Sequence, residues 1–181
     1  LLAFLYPFLA LGDLTFTLLA LFLAPIVAAF ADSAGNLPRC LKWFQTFDAS
    51  LDAGWKDGYF VFAGRTSSET VPTGLELWWL RTRWLYRNPG YGFSYWVLGQ
   101  AFDRSAWRVT RNDIDASTGK TLWIARGPRG AFNINYLGRW GNAKLGWKAW
   151  NYWDGAAWKT APWGPVWRTP ICFTYTPFKR A

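Results

Sequence analysis

The first 31 residues, LLAFLYPFLALGDLTFTLLALFLAPIVAAFA, are apolar almost throughout and carry one charge, Asp13. A run this apolar is long enough for a bilayer-spanning helix, which needs about 20 residues. As one helix it would measure roughly 46 Å, more than the roughly 30 Å hydrocarbon core. Gly12-Asp13 offers a break, because Gly12 can end one helix and Asp13 can cap the next by accepting backbone N–H groups. Pro25 removes a helical donor and should bend the second piece. The pattern thus predicts two helical pieces, about 1–11 and 14–31, arranged as a re-entrant hairpin or a broken span. Phe4, Leu9, Leu18, Phe22 and Ile26 are the expected contacts with lipid or with neighbouring subunits. A cleaved signal peptide is the rival reading: Ala28 to Ala31 loosely offers a cleavage site, but no basic stretch stands before the apolar run.

A turn cluster, Asp32 to Pro38, opens a mixed connector over 32–74. Trp43 beside Lys42 suits either a membrane headgroup level or the start of a core. Asp48, Asp52 and Asp57 form a loose acidic series without the spacing of a calcium loop, so turn-making is expected of them rather than metal binding. Pro72-Thr73-Gly74 and Asn88-Pro89-Gly90 bracket a predicted amphipathic helix over 75–87. Its apolar face holds Leu77, Trp78, Leu80, Trp84 and Leu85, and Arg83 and Arg87 lie opposite. Arg81 falls in the middle of the apolar face. A buried guanidinium must be compensated, so Arg81 either pairs with a carboxylate in the core or reaches a lipid phosphate from an interfacial helix.

From Trp107 onward the period shortens to two. Strands are predicted near Trp107 to Arg111, Thr121 to Arg126, Ala131 to Leu137, Lys144 to Trp150 and Ile171 to Thr176, with short turns between them. Short connections imply an antiparallel meander. Trp147, Trp150 and Trp153 cannot all face one way on a flat strand, so they are candidates for an exposed aromatic surface. The fold class expected is α+β: an apolar helical arm over 1–31, the connector, and a basic Trp-rich α+β body over 75–181.

Composition narrows the chemistry. The 181 residues include 15 Trp, two Cys and no His. Without His, His-based triads, His metal sites and most neutral-pH general-base schemes drop out. Two cysteines build neither a zinc site nor a disulfide scaffold. No phosphate-binding loop, dinucleotide fingerprint or nucleophile elbow is present. Asp103, Asp113, Asp115 and Asp154 would be the raw material for a carboxylate pair, yet Asp113 and Asp115 look like turn residues. The expectation is therefore no enzyme, no catalytic or metal-ligating residue, no cofactor and no small-molecule substrate. The net charge of +9 is uneven: residues 81 to 181 carry +12. Such a body suits phosphate-rich partners, either anionic lipid or nucleic acid, or an acidic protein surface. A Trp-based sugar binder is a further class.

Three segments resemble a family. They are the apolar start running to Leu23-Ala24-Pro25, the stretch Trp43-Phe44-Gln45-Thr46-Phe47-Asp48 to Asp52, and Arg87-Asn88-Pro89-Gly90-Tyr91-Gly92-Phe93-Ser94-Tyr95-Trp96-Val97-Leu98-Gly99. Lys144-Leu145-Gly146-Trp147-Lys148 fits the same pattern. Together they resemble an uncharacterised family of short tailed-bacteriophage proteins with a hydrophobic N-terminus. The chain departs from that pattern at Phe47 and Ala49, where the family usually has Pro and Asn. The resemblance implies a phage setting and a membrane-type arm, and no chemistry. The expected function is a minor virion component, oligomeric, that engages the host envelope through its arm; its partners would be membrane lipid or other phage structural subunits. The alternatives are a phage protein lodged in the host inner membrane after infection and a basic nucleic-acid-binding module.

Overall fold

The computed structural model describes residues 1–56, 71–160 and 167–179. They fold as α+β, with an apolar first helix, a few further helices and antiparallel sheets in the C-terminal half. They group into two compact units, one of Leu1–Gly12 with Leu98–Ala181 and one of Asp13–Val97. The compositional zones at 1–31, 32–74 and 75–181 do not follow these units, because the first helix supplies one half to each.

That helix, α1 (Leu2–Ala28), is unbroken. The expected break at Gly12-Asp13 does not occur, and neither does a hairpin. Asp13 is not a cap: its carboxylate accepts the Ser94 hydroxyl at 2.6 Å. Gly12 sits in open space, and one interior glycine costs a helix only about 1 kcal/mol. Burial of apolar side chains on either side of it outweighs that cost. Pro25 also stays helical, and its carbonyl accepts the Trp78 indole N–H at 2.8 Å. The helix closes with a tightened turn, Ala29 N–H to Ile26 O at 3.2 Å and Phe30 N–H to Val27 O at 3.1 Å.

The unit Asp13–Val97 packs the second half of α1 against α2 (Ala53–Lys56), α3 (Gly74–Arg87) and α4 (Tyr91–Trp96). Ala20, Ala24, Val27 and Ala28 meet Leu37, Phe44, Leu51, Leu80, Trp84 and Leu85 in its core. Small residues on α1 let these elements approach closely. Gln45 ties the connector together. Its side chain accepts from Leu37 N–H at 2.8 Å and donates to Ala49 O at 2.9 Å. Gly90, in the left-handed region at φ 65°, turns the chain from α3 into α4. Gly92 then brings α4 against the turn at 42–45, where a Cβ would lie 2.3 Å from Lys42 O and 2.4 Å from Gln45 O. Phe93 stacks on Phe16 at 4.2 Å, and Phe47 stacks on Tyr95 at 3.7 Å.

In the other unit, five strands form one antiparallel sheet in the order β2 (Arg108–Ile114), β3 (Thr121–Arg126), β4 (Phe132–Gly138), β5 (Gly141–Trp147), β7 (Ile171–Thr176). A two-stranded ladder joins β1 (Gln100–Ala101) to β6 (Arg168–Thr169). The meander is as the short turns predict. Opposed residues share a face. Ile124, Ile134, Leu145 and Phe173 therefore line one side, and Trp123, Asn135, Lys144 and Thr174 the other.

Both faces are covered at one end. On the first, Tyr6 of α1 packs against Phe132 at 4.9 Å and Trp147 at 5.9 Å and donates to Cys172 O at 2.7 Å. On the second, Trp150, Trp153 and Trp158 surround Trp123 within 5.2–6.0 Å. The buried Asn133 is satisfied there, accepting from Trp150 N–H at 2.9 Å and donating to Leu145 O at 3.1 Å.

Candidate functional site

Seen down its axis, α1 has two sides. At about 100° per residue, Leu1, Phe4, Phe8, Leu11, Leu18, Phe22 and Ile26 fall on one stripe, and all are exposed. Phe4 is 74% and Phe22 82% exposed. Within the sheet unit, Tyr6 and Ala10 pack into its core; within the helical unit, Ala20, Ala24 and Val27 pack into its own core and Asp13 bonds Ser94. Side-chain size is thus inverted relative to an ordinary surface helix: in its second half alanines point inward, and leucines and phenylalanines point out. An exposed apolar stripe on this scale is unusual for a surface that meets only water. The helix measures about 40 Å, and the stripe runs its whole length.

Of the arm residues singled out from sequence, Phe4, Leu18, Phe22 and Ile26 lie on this stripe. Leu9 does not: it is half-buried and packs against the sheet unit's core. The only charge in α1, Asp13, is on the packed side, bonded to Ser94.

The α3 residues serve a different purpose from the interfacial one considered above. Arg81 is buried and grips Asp52 with two bonds, Nε to Oδ1 at 2.7 Å and Nη2 to Oδ2 at 3.3 Å. Trp78 donates to Pro25 O, and Trp84 is in the core. The lipid-phosphate role for Arg81 is therefore replaced by a core ion pair. Arg83 is half-buried, and Arg87 is exposed with its guanidinium 5.9 Å from the Trp84 ring. Burial alone would raise the Asp52 pKa, but the hydrogen bonds and charge of Arg81 overcome it and hold the carboxyl below its ordinary value.

The expected aromatic surface of Trp147, Trp150 and Trp153 is also corrected. Trp147 is 0% exposed, donating to Leu98 O at 3.0 Å, and the other two cover Trp123. The aromatic side chains that do reach solvent in this unit include Trp140, Phe173, Tyr175 and Phe178. The signal available for them was the period-2 alternation, which puts Phe173 and Tyr175 on one side of β7, but not which side is covered. Arg139 lies 4.2 Å over the Trp140 ring at the β4–β5 turn.

The carboxylates hold their own turns. Asp103 accepts from the Ser105 hydroxyl and backbone, Asp154 from the Ala156 and Ala157 N–H groups, and Asp115 from Ser117 and Thr118. These bonds lower all three pKa values. Asp113 pairs with Arg111. Among the described residues no three His, Cys, Asp or Glu side chains gather as a metal group; Asp57, the third of the loose acidic series, lies outside them. A cleft of about 470 Å³ lies along β2–β4, with Asp113, Leu122, Tyr136 and Arg139 among its lining residues. Charge divides sharply between the units: Asp13–Val97 has seven basic and seven acidic residues, so the whole +9 belongs to the sheet unit.

No curated protein and no solved structure matches the chain. Residues 1–181 match a family of unknown function in full, and the chain belongs to that family, DUF7338.

Proposed function

We propose that this chain is a non-enzymatic structural protein that attaches to a lipid layer through the outward stripe of α1. The observation that carries the reading is the two-sided helix: one side docked into folded protein, the other a line of bare leucine and phenylalanine side chains. In this attachment the helix lies in one leaflet with Phe4, Phe8, Leu18, Phe22 and Ile26 among the acyl chains, as interfacial helices do. The sequence resemblance supplies the setting: a minor bacteriophage virion component, assembled as an oligomer, whose arm engages the host envelope. Residence in the host inner membrane after infection is the same attachment made at a different stage.

The test uses the full chain, synthesised in the presence of phosphatidylcholine vesicles and floated on a density gradient. Wild type is expected to float, and Leu18→Asp with Phe22→Asp to remain at the bottom with an unchanged circular dichroism spectrum. A wild-type chain that stays below the vesicles as a detergent-free monomer overturns the attachment. Mass spectrometry of purified particles decides the virion setting, which fails if the chain is absent from them.

A further inference from the structure

The sheet face that carries α1 also carries an electrostatic conflict. The register sets Arg108 directly opposite Arg126. Arg126 is in turn opposite Phe132, the residue on which Tyr6 of α1 packs. Like charges opposed on neighbouring strands destabilise a sheet. Neither arginine makes an ion pair among the described residues, and the acidic side chains of this unit are committed to their own turns or to Arg111. A third arginine, Arg129, lies in the β3–β4 turn at φ 57°, the one described residue other than glycine in the left-handed region. The next residue, Gly130, abuts the start of α1: a Cβ there would sit 3.3 Å from Leu1 N. Strain and repulsion of this kind persist where another interaction compensates them.

We propose that Arg108, Arg126 and Arg129 form a cluster that binds the phosphates of anionic phospholipid headgroups where the exposed stripe of α1 begins. The proposal rests on the lipid attachment argued above and adds the headgroup class to it. Charge complementarity selects this occupant. Arg108, Arg126 and Arg129 are all exposed, and Arg129 immediately precedes Gly130, which abuts Leu1, the exposed apolar residue at which the stripe starts, so cation and apolar contacts adjoin there as at a bilayer surface. Guanidinium groups match phosphate oxygens in pairs, and each basic side chain near an anionic leaflet strengthens binding about fivefold. A nucleic acid offers the phosphates but nothing for the apolar stripe.

The experiment compares flotation of the full chain on phosphatidylcholine vesicles with vesicles containing about 30% phosphatidylglycerol. The wild type is expected to bind the anionic vesicles at least tenfold more tightly at low salt, with the difference shrinking in roughly 0.5 M salt. Arg108→Gln, Arg126→Gln and Arg129→Gly together should erase the difference, leave binding to phosphatidylcholine unchanged, and raise rather than lower the melting temperature, since repulsion and strain are removed. Equal wild-type binding to both vesicles overturns the cluster and leaves the α1 attachment standing, whereas no binding to either overturns the attachment itself. A triple variant that keeps the anionic preference overturns the assignment of these residues. Preferential binding to duplex DNA over anionic vesicles at the same salt, lost in the variant, overturns the lipid in favour of nucleic acid.

Discussion

Asp52→Asn is the most informative single substitution in the helical unit. It keeps the side chain's size, which matters because Gly35 leaves no room: a Cβ there would lie 2.6 Å from Asp52 Cγ. It removes only the charge. Arg81 is then left with 8% of its side chain exposed and no buried carboxylate beside it, and a guanidinium cannot shed its proton. Breaking a buried pair from one side costs about 3–5 kcal/mol. The reverse change, Arg81→Leu, strands a carboxylate that retains Lys56 at 3.5 Å and can take up a proton. Neutralising a carboxyl of ordinary pKa 3.8 at pH 7 costs about 4 kcal/mol, which is a ceiling for that variant. The double change should cost about 2 kcal/mol less than the two singles summed. For a chain of this length each kcal/mol moves the melting temperature by about 2–4 °C, so Asp52→Asn should fall by roughly 10 °C in thermal melts followed by near-ultraviolet dichroism. The pH dependence has a fixed sign. The folded-state pKa of Asp52 is depressed, so its contribution is complete above pH 3.8 and is lost as pH falls through the lower folded value. Asp52→Asn should lack that acid limb. A variant melting within about 2 °C of wild type would refute the pairing as a source of stability.

Two further outcomes follow from packing. Gly92→Ala places a methyl against the Lys42 and Gln45 carbonyls, which are backbone and cannot rotate away. It should cost about 3 kcal/mol and weaken the near-ultraviolet signal of the Phe16–Phe93 and Phe47–Tyr95 stacks; an unchanged spectrum and melt would sink this account of Gly92. Cys40 is exposed and Cys172 buried, so brief maleimide treatment of the folded chain should add one label, at Cys40, with the second appearing only on denaturation. Two labels on the native chain, read by mass spectrometry, would contradict the placement of β7.

The elements whose boundaries are written locally were legible. Proline and glycine at 72–74 and 88–90 bracket a predicted helix at 75–87, and the structure has it at Gly74–Arg87. The alternating strands after Trp107 were also readable, because period two and short turns are local properties. What was not legible depends on partners far along the chain. The partner of Arg81 is 29 residues away, and sequence offered several carboxylates without choosing among them. Gly12-Asp13 carries a real break signal. It is overruled by Ser94, which lies 81 residues on, and by packing on both sides of the glycine. Trp147 reads as a surface candidate because Trp147, Trp150 and Trp153 cannot all face one way on a flat strand; Tyr6, at the other end of the chain, packs against it. The segments 43–48 and 87–99 that carried the family resemblance turn out to pack on one another, through Gly92, Phe93 and Tyr95. Those residues form a packing unit in this chain.

The two-sided character of α1 also bears on how the proposed attachment is oriented. A helix that crosses a bilayer alone meets lipid around its whole circumference over about 20 residues, and any polar group along that length must be satisfied from within. On α1 the packed side is engaged by polar groups of the folded chain from end to end: the Tyr6 hydroxyl on Cys172 O, the Asp13 carboxylate on Ser94, and the Pro25 carbonyl under the Trp78 indole. These positions are spaced so that no window of about 20 residues escapes them all. Crossing would therefore carry Asp13 and its partners into hydrocarbon, or strip the alanine side of α1 from its core, and either change costs far more than a surface helix requires. Lying along one leaflet immerses only the stripe from Phe4 to Ile26 and leaves every one of those bonds in place. In that proposed attachment the length of α1, which in isolation argues for a span, sets the extent of a contact line on the membrane surface, with the proposed headgroup cluster of Arg108, Arg126 and Arg129 beside its Leu1 end.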